Sequence, residues 1–150
     1  MSDKFPLQPL LDIATTRMDD AARALGELIA SERSAQQKLE MLEQYRAEYK
    51  ERFVEATSAG ITLDAMRNFS NFIHRIDEAI EVQHQAVETS RQSTAQGQQM
   101  WMNQRNKVRA LDTLAIRHQT EVARQFGKME QRMTDEHAAR RFRDKNEEQA

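Results

Sequence analysis

Four histidines, a scatter of carboxylates and one tryptophan flanked by methionines are the residues whose types could do chemistry in this chain. His74, His84, His118 and His137 are separated by 10, 34 and 19 residues. None of those spacings puts two imidazoles on one helical face, as i, i+3 or i, i+4 would, so a metal site is not expected. Adjacent carboxylates such as Asp19 and Asp20 read as solvated helix charge rather than a general acid and base. There is no cysteine, and hence no thiolate nucleophile or disulfide framework. No phosphate-cradling glycine loop or nucleophile elbow occurs, and we expect neither an enzyme nor a cofactor. Trp101, between Met100 and Met102, is read as a space-filler in a weak packing layer; adaptable methionine interfaces are the alternative.

The elements that would position these residues are long helices. Both prolines, Pro6 and Pro9, fall in the first ten of 150 residues, and only 4 glycines follow a composition that is 31% charged and 6% aromatic. That is enough for a narrow apolar seam but little for a compact core. Stepping by three and four from Leu11 meets Ala14, Met18, Ala21, Leu25, Leu28, Glu32, Ala35, Leu39, Leu42, Arg46, Tyr49, Phe53 and Ala56, with only Glu32 and Arg46 breaking the seam. The same stepping resumes at Met66 and runs through Phe69, Ile73, Ile76, Ile80, Gln83 and Val87 to Val108, Leu111, Ala115, His118, Val122, Gln125 and Met129. A spacing of 3.5 residues sustained over many turns is a coiled-coil pattern. Between Ser90 and Gly97 the seam residues are small or polar, and loose packing or a bend is expected there.

One turn interrupts this pattern, in "FVEATSAGITLDAM". Gly60 suits a left-handed helix end, Thr62 an N-cap and Asp64 the first turn of a new helix. So short a connection makes its helices antiparallel neighbours. The expected fold is all-α: a single coiled-coil domain over residues 1–150, with helix 1 at about 10–56, a turn at 57–62, helix 2 at about 63–143 and frayed termini. At 1.5 Å per residue the helices would measure roughly 70 and 120 Å. A register that sets Leu11 opposite Val108 would leave everything beyond Val108 past the start of helix 1. That overhang carries Leu111, Val122, Phe126, Met129 and Met133 beside Arg117, Arg124, Lys128 and Arg132.

The net charge of −2 hides a gradient: residues 98–143 hold 10 Lys/Arg against 5 Asp/Glu. These cations are spread singly, unlike a basic DNA-binding arm, so an acidic protein is the expected partner and nucleic acid is not. No apolar run approaches the ~20 residues of a membrane span, and the start "MSDKFPLQPL" has no signal-peptide pattern. A cytoplasmic chain is expected.

The segments "LDIATTRMDDAARALGELIASE", "LEMLEQYRAEY" and "SAGIT" followed by "FSNFIHRIDEAI" resemble the FliJ family of flagellar type III export proteins along nearly the whole chain. The resemblance implies an antiparallel coiled coil similar to the γ stalk of rotary ATPases. It also implies a role as a non-enzymatic adaptor without a small-molecule substrate. Such an adaptor binds the centre of the export ATPase ring, promotes its assembly and activity, links it to the membrane export gate and recycles export chaperones. The implied location is the cytoplasm, peripheral at the inner face of the cell membrane at the flagellar base. Leu42, Tyr45, Tyr49, Phe72, Ile76 and Ala79, with Lys38 and Gln83 at the edge, match the family's export-gate patch. Leu42, Tyr49 and Ile76 also lie on the seam, where helix packing accounts for them equally well; Tyr45 and Phe72 are off it, which favours binding. A second, ATPase-docking surface is expected at Ala21, Ala22, Leu25, Gly26, Arg124, Lys128 and Arg132, where packing competes for Ala21 and Leu25. The rival reading is a free-standing coiled-coil chaperone or spacer with no ATPase partner.

Overall fold

The computed structural model describes residues 3–149, nearly all of them in two helices, α1 (Gln8–Ala59) and α2 (Leu63–Glu148). No strand occurs among the described residues. Both helices run somewhat past the expected limits, because nothing after Pro9 breaks them except the turn itself.

The turn is built from the three residues whose chemistry suited it. Gly60 sits at φ 89°, left-handed backbone that only glycine adopts without a Cβ clash. Its N–H donates to the Thr57 carbonyl at 3.2 Å, closing the end of α1. The Thr62 hydroxyl accepts the Ala65 N–H at 3.2 Å while its carbonyl accepts the Met66 N–H at 3.0 Å, so Thr62 is the N-cap of α2. Asp64 lies in the first turn, where the helix dipole favours a carboxylate.

The described chain divides into two compact units: Met18–Asn103, and the segments on either side of it. In the first, α1 and α2 pack antiparallel. Arg46 is paired with Asp77, the Gln83 amide donates to the Ala35 carbonyl at 2.9 Å, and the Thr94 hydroxyl, which donates to the Ser90 carbonyl at 3.0 Å, lies 3.4 Å from the Leu28 carbonyl. As the numbers fall along α1 they rise along α2. Every α1 seam residue from Met18 to Ala56 is at least half-buried, with Leu39 at 4% exposure, and Ile76 and Val87 answer from α2. The seam breakers are not gaps: Arg46 pairs with Asp77 and Glu32 lies 3.8 Å from Arg91. Beside the turn the stepping is one residue out, since Ala65 is half-buried and Met66 exposed.

Between Ser90 and Gly97, where loose packing or a bend is expected, α2 is unbroken and an open pocket lies beside the seam, lined by Ala24, Leu28, Ser93, Gln96 and Gly97. Ser90 and Thr94 are half-buried, Gly97 is buried, and α2 is helical throughout. A Cβ on Gly97 would stand 2.6 Å from Leu28 Cδ1 and 3.7 Å from Leu25 Cδ1. α1 supplies leucines at the facing positions, so Gly97 itself is closely covered. Trp101 follows one turn later, half-buried.

In the second unit, Ala14 and Val108 are buried and Leu11, Leu111, Ala115, His118 and Val122 half-buried. The segment before α1 continues along α2. The Phe5 ring lies 5.8 Å from that of His118, and His118 Nε2 donates to the Asp3 carbonyl at 3.3 Å. The expectation that everything beyond Val108 lacks a partner is therefore corrected. Coverage extends to His118, because the register is shifted by a few residues and the chain ahead of Gln8 adds its own cover. Past Val122 all described residues are exposed, Gln125 and Met129 among them, since no α1 residue remains to face them.

Candidate interaction surfaces

The first candidate surface is aromatic and drawn from both helices. Tyr49 stacks on Phe72, with centroids 4.2 Å apart and planes at 26°, and meets Phe69 edge-on at 6.1 Å. Phe53 lies 5.6 Å from Phe69, and the Arg52 guanidinium sits 5.8 Å over the Tyr49 ring. Rings at i, i+4 on α1 and i, i+3 on α2 thus interleave in one run. Tyr45 is 53% and Phe72 40% exposed. Lys38 and Ala79 are exposed, whereas Leu42 and Tyr49 are half-buried in the seam.

Ile76 and Gln83 are buried at 7% and 8% exposure, so their area faces the opposite helix and not solvent. Gln83 spends its amide on the Ala35 carbonyl. The polar group exposed at that edge is His84, 3.7 Å from Glu43. Residue types alone pointed to Phe53 and Phe69 only as seam positions; their i, i+4 and i, i+3 relation to Tyr49 and Phe72 was the signal for a shared aromatic run. Beside it, the hydrogen bond from Arg46 holds the Asp77 carboxyl below its ordinary pKa, with Lys50 and His74 adding weaker attraction.

The second set of residues falls in both compact units. In Met18–Asn103, Ala21 and Leu25 are half-buried, whereas Ala22 and Gly26 are exposed and a Cβ on Gly26 would meet nothing within 4 Å. In the other unit, Arg124, Lys128 and Arg132 are all exposed. Arg124 is not free: it donates to Glu121 through Nε at 3.0 Å and Nη2 at 2.7 Å, which lowers the Glu121 pKa. Alongside run Phe126, Met129 and Met133, 61%, 62% and 67% exposed. They continue the line of Val122 along one face, an apolar stripe with no α1 residue against it.

Comparison with known proteins gives this geometry a family. The profile described as "Flagellar FliJ protein" matches residues 3–147. The flagellar FliJ protein of Escherichia coli K12 is 30% identical over 140 residues, spanning 93% of this chain and 95% of its own. The chain belongs to the FliJ family. The Salmonella typhi flagellar FliJ protein is 29% identical over the same shares. As a FliJ-family member the chain is a component of flagellar type III export, a family of structural adaptors. The same fold occurs in Chlamydia trachomatis CT670, assigned as a candidate YscO homolog, with TM-score 0.66, 20% identity and coverage of 91% and 92% of the two chains.

Among the described residues, no group of three or more His, Cys, Asp or Glu side chains is placed to hold a metal ion, and no helix is long and apolar enough to cross a membrane.

Proposed function

We propose that this FliJ-family chain acts as one coiled-coil adaptor that binds the centre of the flagellar export ATPase ring, promotes the ring's assembly and activity, links it to the export gate and recycles export chaperones. Its place would be cytoplasmic, peripheral at the inner face of the membrane at the flagellar base. The observation that supports ATPase docking most is the exposed stripe Phe126, Met129 and Met133 flanked by Lys128 and Arg132. Apolar area of this kind is costly in water and suits a partner that is apolar and acidic. In the other unit, exposed Ala22 and Gly26, beside half-buried Ala21 and Leu25, are a separate thin surface proposed for the same partner. The exposed part of the aromatic run, Tyr45 and Phe72 with Lys38 and Ala79, is the proposed gate contact.

The test is charge reversal at Lys128 and Arg132 together with Arg124. The triple variant should keep its helicity and gate binding but stimulate ATPase assembly and hydrolysis less, with the loss showing as slower, less salt-sensitive association. Undiminished stimulation would move ATPase docking to Ala21–Gly26 or return the chain to the role of a spacer. On the gate side, Tyr45→Ala or Phe72→Ala should weaken gate binding by about 1–3 kcal/mol. Of the two, Phe72→Ala should also cost some stability, since its ring stacks on Tyr49.

A further inference from the structure

Outside both of these surfaces, the unit that contains the start of α1 has a groove running between the helices. It is lined by Leu10, Ile13, Ala14, Ala110 and Leu111, with one cation from each helix, Arg17 from α1 and Lys107 from α2. Leu10 and Ile13 are 53% and 49% exposed, although each has seam neighbours at Leu11 and Ala14 that already pack on α2. Neither the Arg17 nor the Lys107 side chain has a hydrogen bond or ion pair among the described residues. Gln104, which also lines the groove, has its Oε1 buried without a hydrogen-bond partner.

We propose that this groove is a docking site for a third helix, an acidic amphipathic segment of a partner protein. The small side chains of Ala14 and Ala110 let a helix axis approach closely, and the exposed Leu10 and Ile13 would be covered by its apolar face, as in other helix-in-groove recognition. Arg17 and Lys107 would pair with carboxylates on that helix. A membrane surface fits less well, because a broad lipid face cannot follow a groove between two helices. The proposal does not depend on where the ATPase binds, since neither the Phe126–Met133 stripe nor the aromatic run contributes to the groove.

The probe is a short synthetic helix with Leu and Ala along one face and Glu on both flanks, titrated into the full chain. A second peptide with Lys in place of Glu, and vesicles of anionic phospholipid, serve as controls. The acidic peptide should bind and weaken with salt, and the basic peptide should not. Arg17→Glu with Lys107→Glu should lower its affinity roughly tenfold or more while helicity and the melting midpoint stay unchanged, because both side chains are exposed. Ile13→Ser should weaken binding without altering the salt dependence. Equal binding of the two peptides, full binding to the double charge reversal, or binding to anionic vesicles in place of peptide would each overturn the proposal.

Discussion

Glycines show how little the type of a residue says until its surroundings are known. Gly26 and Gly97 are both interior helical positions, and intrinsic propensity favours Ala at each by roughly 0.5–1 kcal/mol. Around Gly26 there is open space, whereas a Cβ on Gly97 would drive Leu28 Cδ1 from its place. Gly26→Ala should therefore raise the melting midpoint by the full propensity gain, and Gly97→Ala by less or not at all. Gly60→Ala should lower it, since φ 89° is strained for any residue with a Cβ. Equal gains at positions 26 and 97 would mean that Leu28 repacks at no cost. Of these three roles, that of Gly60 was legible in the sequence because turn chemistry is local. That of Gly97 was not, because it depends on leucines nearly seventy residues earlier in the chain.

Along the helices, the period of three and four named the buried face of α1 without an error from Leu11 to Ala56, and that of α2 from Phe69 to Val122. Periodicity locates a face but not the register between two faces, which is why the predicted limit of pairing fell at Val108 and the observed one near His118. Register depends on contacts such as Arg46 with Asp77 and Gln83 with Ala35, and these became visible only once the helices were side by side. The same limit applies to the aromatic run, where Tyr49 could be placed on the seam but not against Phe72.

The Arg46–Asp77 pair also makes the helix pairing sensitive to acid. The folded Asp77 carboxyl titrates below its ordinary value, about 3.9 for an unperturbed Asp, chiefly through the hydrogen bond from Arg46. A depressed folded pKa contributes stability that is present above the unfolded value and lost as pH falls through the folded one. Urea midpoints should therefore decline on acidification below about pH 4, and Arg46→Met should flatten that part of the profile. An identical acid limb in the variant would assign it to other carboxylates. Exchanging the charges, Arg46→Asp with Asp77→Arg, should restore more stability than either single change leaves, because the two side chains form one unit.

For the molecule as a whole, the contrast is between a length of α2 that has α1 or the N-terminal segment against it and a length that has neither. From residue 123 to residue 149 every side chain is exposed, so this helix is held only by its own backbone hydrogen bonds and local pairs such as Glu121 with Arg124. An isolated helical stretch opens at little cost. Deleting residues 130–150 should accordingly leave the melting midpoint almost unchanged while reducing stimulation of the ATPase; a large fall in the midpoint would show that the stretch supports the paired region. Being easily opened also gives the stretch a readout of its own. A protease that cuts after basic residues should sever the free chain first at Arg124, Lys128, Arg132 and the arginines beyond, and leave the paired helices intact. Any partner that lies along Phe126, Met129 and Met133 would register as slowed cleavage there, so the order in which fragments appear becomes a footprint of whatever holds the end of α2.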